Sequence, residues 1–287
     1  MRLLRHGPRA NPRPALLDGQ GRVRDLSPLL PDITGATLSP AGLAALRSVD
    51  TSTLPVVEQG TLQVPWAGCG KFIAIGLNYA DHAAEAGMPI PKEPIIFMKA
   101  LSSMVGADHD VVLPQGSVKS DWECELGVVI GSRARYVSEA DALKHVAGYC
   151  VVNDVSEREY QLERGGTWDK GKGCDTFGPV GPWMVTADEV VDPQALHMYL
   201  EVNGHRYQNG STKTMIFTVA QLVSYVSRFM TLEPGDCITT GTPPGVGSGI
   251  KPVPVFLKAG DVMKLGIAGL GEQCQKVVAW DPAAIDA

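Results

Sequence analysis

The 287-residue sequence lacks any apolar run approaching the roughly 18 residues that a membrane-spanning helix needs. It lacks a basic excess as well: 25 Lys and Arg stand against 31 Asp and Glu, a formal charge of −6, which argues against a nucleic-acid ligand. The opening residues, Met1 to Pro8, have no apolar core of the kind a secretory signal carries. No C-x-x-C pair occurs. Cys69, Cys124, Cys150, Cys174, Cys237 and Cys274 are scattered singly, which reads as reduced core residues and not as a disulfide framework. Internal repeats, low-complexity tracts and long linkers are missing too. What remains is a cytoplasmic, soluble enzyme or binding protein, and an apolar content of 44% can bury a real core.

The pattern of what is present is α+β and mostly β. Residues 1–66 hold short apolar pieces (Leu3-Leu4, Ala15 to Leu17, Val23 to Leu26) separated by turns, and Ser39-Pro40 offers an N-cap with proline at the first helical position. They read as a small N-terminal α+β domain, followed by a larger domain over 67–287. There the apolar runs Phe72–Ile75, Ile95–Met98, Glu125–Ile130, Gly148–Asn153, Pro182–Thr186, Met198–Val202 and Val262–Ile267 read as strands. Asn203-Gly204 is a hairpin signal. Helices are expected over Asp81–Ala86, Glu139–His145, Glu157–Glu163 and Thr218–Met230, the last with Val219, Leu222, Val223, Val226 and Phe229 on one face. Gly165–Gly173 reads as a glycine-rich loop. Strands outnumber helices and do not alternate with them, which disfavours a doubly wound or barrel α/β fold.

Three clusters carry chemistry. In Trp122-Glu123-Cys124-Glu125, the i, i+2 spacing places Glu123 and Glu125 on one strand face, while Trp122, Cys124, Leu126 and Val128 point to the other. Asp154 stands at the end of another buried strand. Three carboxylates without paired histidines or thiolates favour a hard cation, Mg2+ or Mn2+, over zinc. The plainer alternative is a solvent-facing edge with salt bridges. His82 and Glu85, at i and i+3, are adjacent on a helix face, where a carboxylate can fix the imidazole tautomer and support a general base. A surface ion pair is the plainer alternative there. Lacking a second histidine, H-x-x-E is not a metalloprotease motif. The third cluster is polar and glycine-rich: Arg158, Gln161, the run Lys170 to Pro179, and Thr239-Thr240-Gly241-Thr242-Pro243-Pro244-Gly245-Val246-Gly247. The last run lacks the G-K-[ST] ending of a phosphate loop, yet it can present backbone N–H groups and a hydroxyl to a carboxylate.

Taken in order, I-G-L-N-Y-A-D-H-A-A-E, I-I-F-M-K, D-W-E-C-E-L-G-V-V-I-G, V-V-N-D-V-S-E-R-E-Y-Q, K-G-K-G-C-D-T-F-G-P-V-G-P-W and T-G-T-P-P-G-V-G resemble the fumarylacetoacetate hydrolase family over residues 70–280. The resemblance implies a mixed β-sandwich roll, a homodimer, and metal-dependent hydrolysis of a carbon–carbon bond in a 2,4-dioxo acid, giving pyruvate and a carboxylic acid. It implies Mg2+, with Mn2+ or Ca2+ as substitutes, held by Glu123, Glu125 and Asp154. His82 and Glu85 match the pair that activates water, and Lys172 and Gln161 match residues that polarise or orient the substrate. Arg158, Lys99, Thr242 and Thr176 match substrate-side or metal-side positions. Ala100 departs from the proline that often follows the I-F-M-K lysine, which weakens the Lys99 match. The runs around Asp154 and Lys172 resemble members linked with 2,4-dioxo-3-deoxy sugar acids. Other similar chains are called ureidoglycolate lyases, oxaloacetate decarboxylases or dienedioate isomerases, and a non-catalytic metal-binding scaffold is a further alternative.

Overall fold

In the computed structural model, which describes residues 1–85 and 87–281, the strand Cys124–Ile130 is buried from end to end. Successive side chains on a strand point to opposite faces, so Leu126 and Val128 enter one core and Val129 enters another. The adjacent strand Val146–Asn153 divides the same way, Val151 to the first core and Cys150 and Val152 to the second. A strand covered on both faces needs an unbroken apolar run, and both sequences supply one.

These two strands lie in the middle of an 11-stranded sheet. On one side it continues through Gly178–Thr186 to Arg2–His6, Arg13–Leu17 and Val23–Asp25. On the other it continues through Cys237–Thr239 to Phe72–Gly76 and Ile95–Lys99. A second sheet of 5 strands, which includes His197–Val202 and Val262–Ile267, covers the first core. Its Met198, Leu200, Met263 and Leu265 meet Leu126, Val128 and Val151. The helix Val219–Phe229 closes that core with Leu222 and Val226, and its N-cap Thr218 accepts from Gln221 N–H. The architecture is the expected α+β sandwich, dominated by strands. No helix among the described residues is long and apolar enough to cross a membrane.

The strands of residues 1–66 join the large sheet. Arg2 and Leu3 pair with Val185 and Met184, extending the large sheet. Leu3, Leu16, Leu38, Leu43 and Leu46 then build the second core together with Val129, Cys150 and Met184. Three local expectations change. Gly165–Gly173 is not wholly a loop, since Asp169–Lys172 forms a helical turn. Phe229 does not join the buried stripe. It is the last residue of its helix, 59% exposed beyond the core and packed edge-on against Tyr225. The helix expected over Asp81–Ala86 is found at Ala80–Glu85, Ala86 itself lying outside the described residues. The Asn203-Gly204 hairpin has φ of +53° and +78°, the positive pair that a type I′ turn demands.

Pairing directions gather the chemistry where the ends of these strands meet. Cys124 lies opposite Asn153, Gly127 opposite Thr239, and Thr239 runs beside Ala74 in parallel. The start of the Glu125 strand and the ends of the strands leading to Asp154, to the Gly241 loop and to the His82 helix therefore meet there.

Candidate active site

Glu123, Glu125, His82, Glu85, Gln161, Lys172, Arg158 and Thr242 all line one cavity of about 300 Å3. Asp154 stands just behind that wall. Glu123, Glu125 and Asp154 are buried, and each offers a carboxylate oxygen within 4.8 Å of the others. The Lys172 ammonium lies 2.7 Å from Glu123 Oε2 and 2.7 Å from Asp154 Oδ2. Asp154 Oδ1 forms an ion pair with Lys99 Nζ at 2.6 Å. Around the centre, the four carboxylates of Asp121, Glu123, Glu125 and Asp154 outnumber the three cations Lys99, Arg158 and Lys172. An all-oxygen donor set in which carboxylates outnumber the cations fits a divalent hard cation.

The acids differ in what opposes their burial. Burial works against charge on Glu123, yet Lys172 and Arg158 hold its carboxyl well below the ordinary range. Among the described residues no cation pairs with the Glu125 oxygens. Its Oε2 accepts from the Thr239 hydroxyl and from Gly241 N–H. Burial, then the charges of Asp154 and Glu123, push it well above the ordinary carboxylate range. Burial also opposes the Lys172 charge, but Asp154 and Glu123 prevail and raise its pKa.

His82 Nδ1 lies 3.1 Å from Glu85 Oε2. Gly245 N–H donates to both Glu85 oxygens, at 3.1 and 3.2 Å. Burial opposes the Glu85 charge, but hydrogen bonds from His82 and Gly245 overcome it and lower its pKa. An ionised Glu85 can only accept, so it selects the tautomer with Nδ1–H donating and the lone pair on Nε2.

The glycine-rich loop after Thr239 presents N–H groups to carboxylates, as its composition allows, but the carboxylates are the protein's own. Gly241 serves Glu125, Gly245 serves Glu85, and Gly247 and Ser248 serve Asp121. Thr242 reaches the cavity wall with its hydroxyl already engaged, donating to the Cys124 carbonyl and accepting from Gln208. Two expected site residues lie elsewhere. Lys99 is fully buried behind Asp154, its ammonium held also by the Val155 and Lys172 carbonyls. Thr176, at φ +65°, turns its hydroxyl to accept from Val112 N–H and binds the two sheets together. Arg158 lines the cavity, but its guanidinium is committed to Asp121, Glu123 and Gln161.

Two residues escaped the sequence reading. Asp121 continues the i, i+2 series of Glu123 and Glu125, so the alternation itself carried the signal. Trp168 forms a cavity wall, edge-on to Phe97 at 5.3 Å and lying over Gly76, where a Cβ would come within 2.3 Å of its ring. Nothing in the spacing of Gly76 and Trp168 announces that contact.

The model of the Fumarylacetoacetate (FAA) hydrolase C-terminal family matches residues 71–278. The chain belongs to the fumarylacetoacetate hydrolase family. A Burkholderia cenocepacia (strain HI2424) relative, provisionally named a hydrolase, is 64% identical over 277 residues, covering 96% of this chain and 98% of its own. Among solved members of the family, fumarylacetoacetate hydrolase from Exiguobacterium antarcticum is 35% identical with a TM-score of 0.85, covering 98% of this chain and 100% of its own. Maleylpyruvate hydrolase from Sphingobium sp. SYK-6, solved in complex with manganese (II) ion and pyruvate, is 31% identical with a TM-score of 0.79 and the same coverage. The 2-hydroxyhepta-2,4-diene-1,7-dioate isomerase from Mycobacterium marinum is 32% identical with a TM-score of 0.74, covering 97% of this chain and 98% of its own. The family relationship thus supports an enzyme.

Proposed function

We propose that the chain is a Mg2+-dependent hydrolase of a 2,4-dioxo acid, either an acylpyruvate or a 2,4-dioxo-3-deoxy-aldonate, releasing pyruvate and a carboxylic acid. The observation that carries this reading is that the His82–Glu85 pair and the acidic centre open onto one cavity. Manganese and pyruvate in the Sphingobium relative support both the ion class and the 2-oxo acid.

Glu123, Glu125 and Asp154 would hold the ion, which when bound supplies charge to polarise the 2-oxo group and to offset the developing enolate. His82, its Nδ1 proton held by Glu85, takes a proton from water at Nε2 as the water oxygen bonds to C4. The C3–C4 bond then breaks with its electron pair moving to the pyruvate half, and C4 leaves as the carboxylic acid. The proton collected at His82 returns to C3, which balances the reaction. Lys172 faces the enolate charge with an ammonium kept protonated by Glu123 and Asp154.

The deciding experiment offers a panel of acylpyruvates and 2,4-dioxo-3-deoxy-aldonates to the purified chain, with Mg2+ and with chelator, and measures pyruvate. Chelator-sensitive release is expected. Mg2+-loaded protein that releases none from any member overturns the hydrolase reading. The Mycobacterium marinum neighbour favours one second reading, isomerisation of a dienedioate, in which His82 would carry a proton between carbons. It predicts an absorbance change with a dienedioate and no pyruvate.

A further inference from the structure

Arg158 makes a distinct contact with each of its three guanidinium nitrogens. Nε donates to Asp121 Oδ2 at 2.8 Å, one terminal nitrogen donates to Glu123 Oε1 at 2.6 Å, and the other donates to Gln161 Oε1 at 3.0 Å. A guanidinium carries only donors. The Gln161 atom facing it is therefore the amide oxygen, and the amide NH2 is left for the cavity that Gln161 lines. An amide free to turn would present acceptor lone pairs to the same space half of the time, and those repel an anion.

Asp121 fixes the other end of this arrangement. It is 1% exposed or less and fully hydrogen-bonded: Oδ1 accepts from Trp122 N–H at 2.8 Å and Gly247 N–H at 2.6 Å, and Oδ2 accepts from Ser248 N–H at 3.0 Å in addition to Arg158. Neither carboxylate oxygen can turn without breaking two bonds. Arg158 is correspondingly 8% exposed, and burial of its charge is outweighed by Asp121 and Glu123.

We infer that Asp121 is a positioning residue that acts through Arg158 to hold Gln161 as a hydrogen-bond donor toward the anionic oxygen of a bound 2-oxo acid. The inference rests on the proposed function for the class of ligand, but not on the bond that is cleaved. Arg158 on this account is a strut within the protein, and Gln161 is the group that touches the ligand.

The test titrates pyruvate and, separately, Mg2+ into the full chain, using wild type, Asp121→Asn, Gln161→Ala and the double variant. A hydrogen bond to a charged group is worth about tenfold or more in affinity. Asp121→Asn is expected to weaken pyruvate binding to the Mg2+-loaded protein by about tenfold, and by less than about twofold when Gln161 is already alanine. An equal loss in both backgrounds overturns the inference, as does a loss of Mg2+ affinity that accounts for the whole effect. Should Asp121→Asn fail to fold, Arg158→Lys replaces it, because one ammonium cannot serve all three partners, and the same comparison decides. Pyruvate binding that follows this pattern without hydrolysis of any dioxo acid overturns the proposed reaction and upholds the positioning role. Wild type that binds Mg2+ but no pyruvate overturns the inference.

Discussion

Trp122 and Glu85 are joined through a single residue. The Trp122 indole N–H donates to the Gly245 carbonyl at 3.0 Å, and Gly245 N–H reaches the Glu85 carboxylate at 3.1 Å. Trp122 immediately precedes Glu123, so the proton-handling pair and the acidic centre are tied together by main chain and cannot drift independently.

The chemical roles of the two groups are nevertheless separable by mutation. His82→Ala is expected to retain Mg2+ binding while turnover falls by about 10²–10⁴, the span typical of a lost general base. Calorimetry with Mg2+ alongside a pyruvate assay checks both halves. Lost Mg2+ affinity in this variant would make His82 a ligand and remove it from the role of base.

Glu125 gives the centre a pH dependence. Burial and its acidic neighbours raise its pKa, so lowering the pH adds a proton that a cation has to displace. Mg2+ affinity is expected to increase with pH, with a proton released on binding. Titrations at several pH values in buffers of different ionisation enthalpy would read that proton directly. Glu123→Ala is expected to abolish binding at every pH, since it removes a ligand outright.

Gly76→Ala places a methyl group 2.3 Å from the Trp168 ring, closer than atoms can approach. Trp168 has to leave the cavity wall, at a cost of about 1–3 kcal/mol in overpacking. A higher KM, with a smaller change in kcat, and a shifted tryptophan emission are expected. Trp168→Ala in the Gly76→Ala background should restore the stability. Unchanged KM in Gly76→Ala would show that the wall makes no contact with the substrate.

The residues whose role depends on local spacing were legible in the sequence. Glu123 and Glu125 share a face because a strand has period two, and His82 and Glu85 meet because three residues nearly complete a helical turn. Where long-range closure decides, the chain alone was mute. Lys99 braces Asp154 from behind and Thr176 accepts from Val112 N–H, contacts between residues far apart in the chain. The attachment of Arg2–His6 to Gly178–Thr186 spans most of the chain and has no motif to mark it. Asp121 was readable in principle, one step further along the same alternation.

His6 supplies a test of the N-terminal attachment. It is buried with Nδ1 accepting from Gly60 N–H and Nε2 unpartnered. Burial lowers its pKa, against the pull of Asp25 and with help from Arg13. The folded state therefore resists a proton that the unfolded chain accepts near pH 6.5. Stability from this group is present above that pH and is lost as the pH falls through the lowered folded value. Urea unfolding at pH 7 and pH 5 should show the loss in wild type and a smaller one in His6→Gln. Identical pH slopes would clear His6 of the effect.

Glu125, Glu85 and Asp121 each accept from a peptide N–H in the stretch that follows Thr239. Every amino acid except proline brings the same donor. Spacing is therefore fixed there, and so is the lettering of the glycines: Gly241 and Gly245 hold φ of +90° and +101°, and a Cβ at Gly245 or Gly247 would come within 2.0 Å of a carbonyl oxygen. Inserting one residue between Gly241 and Gly245 throws the later donors out of step with Glu85 and Asp121 at once, whereas exchanging the Ser248 side chain leaves its donor where it was. The glycine signature of this loop and its grip on the acids are thus one constraint, since a side chain at Gly245 or Gly247 disturbs the same hydrogen bonds that an insertion would.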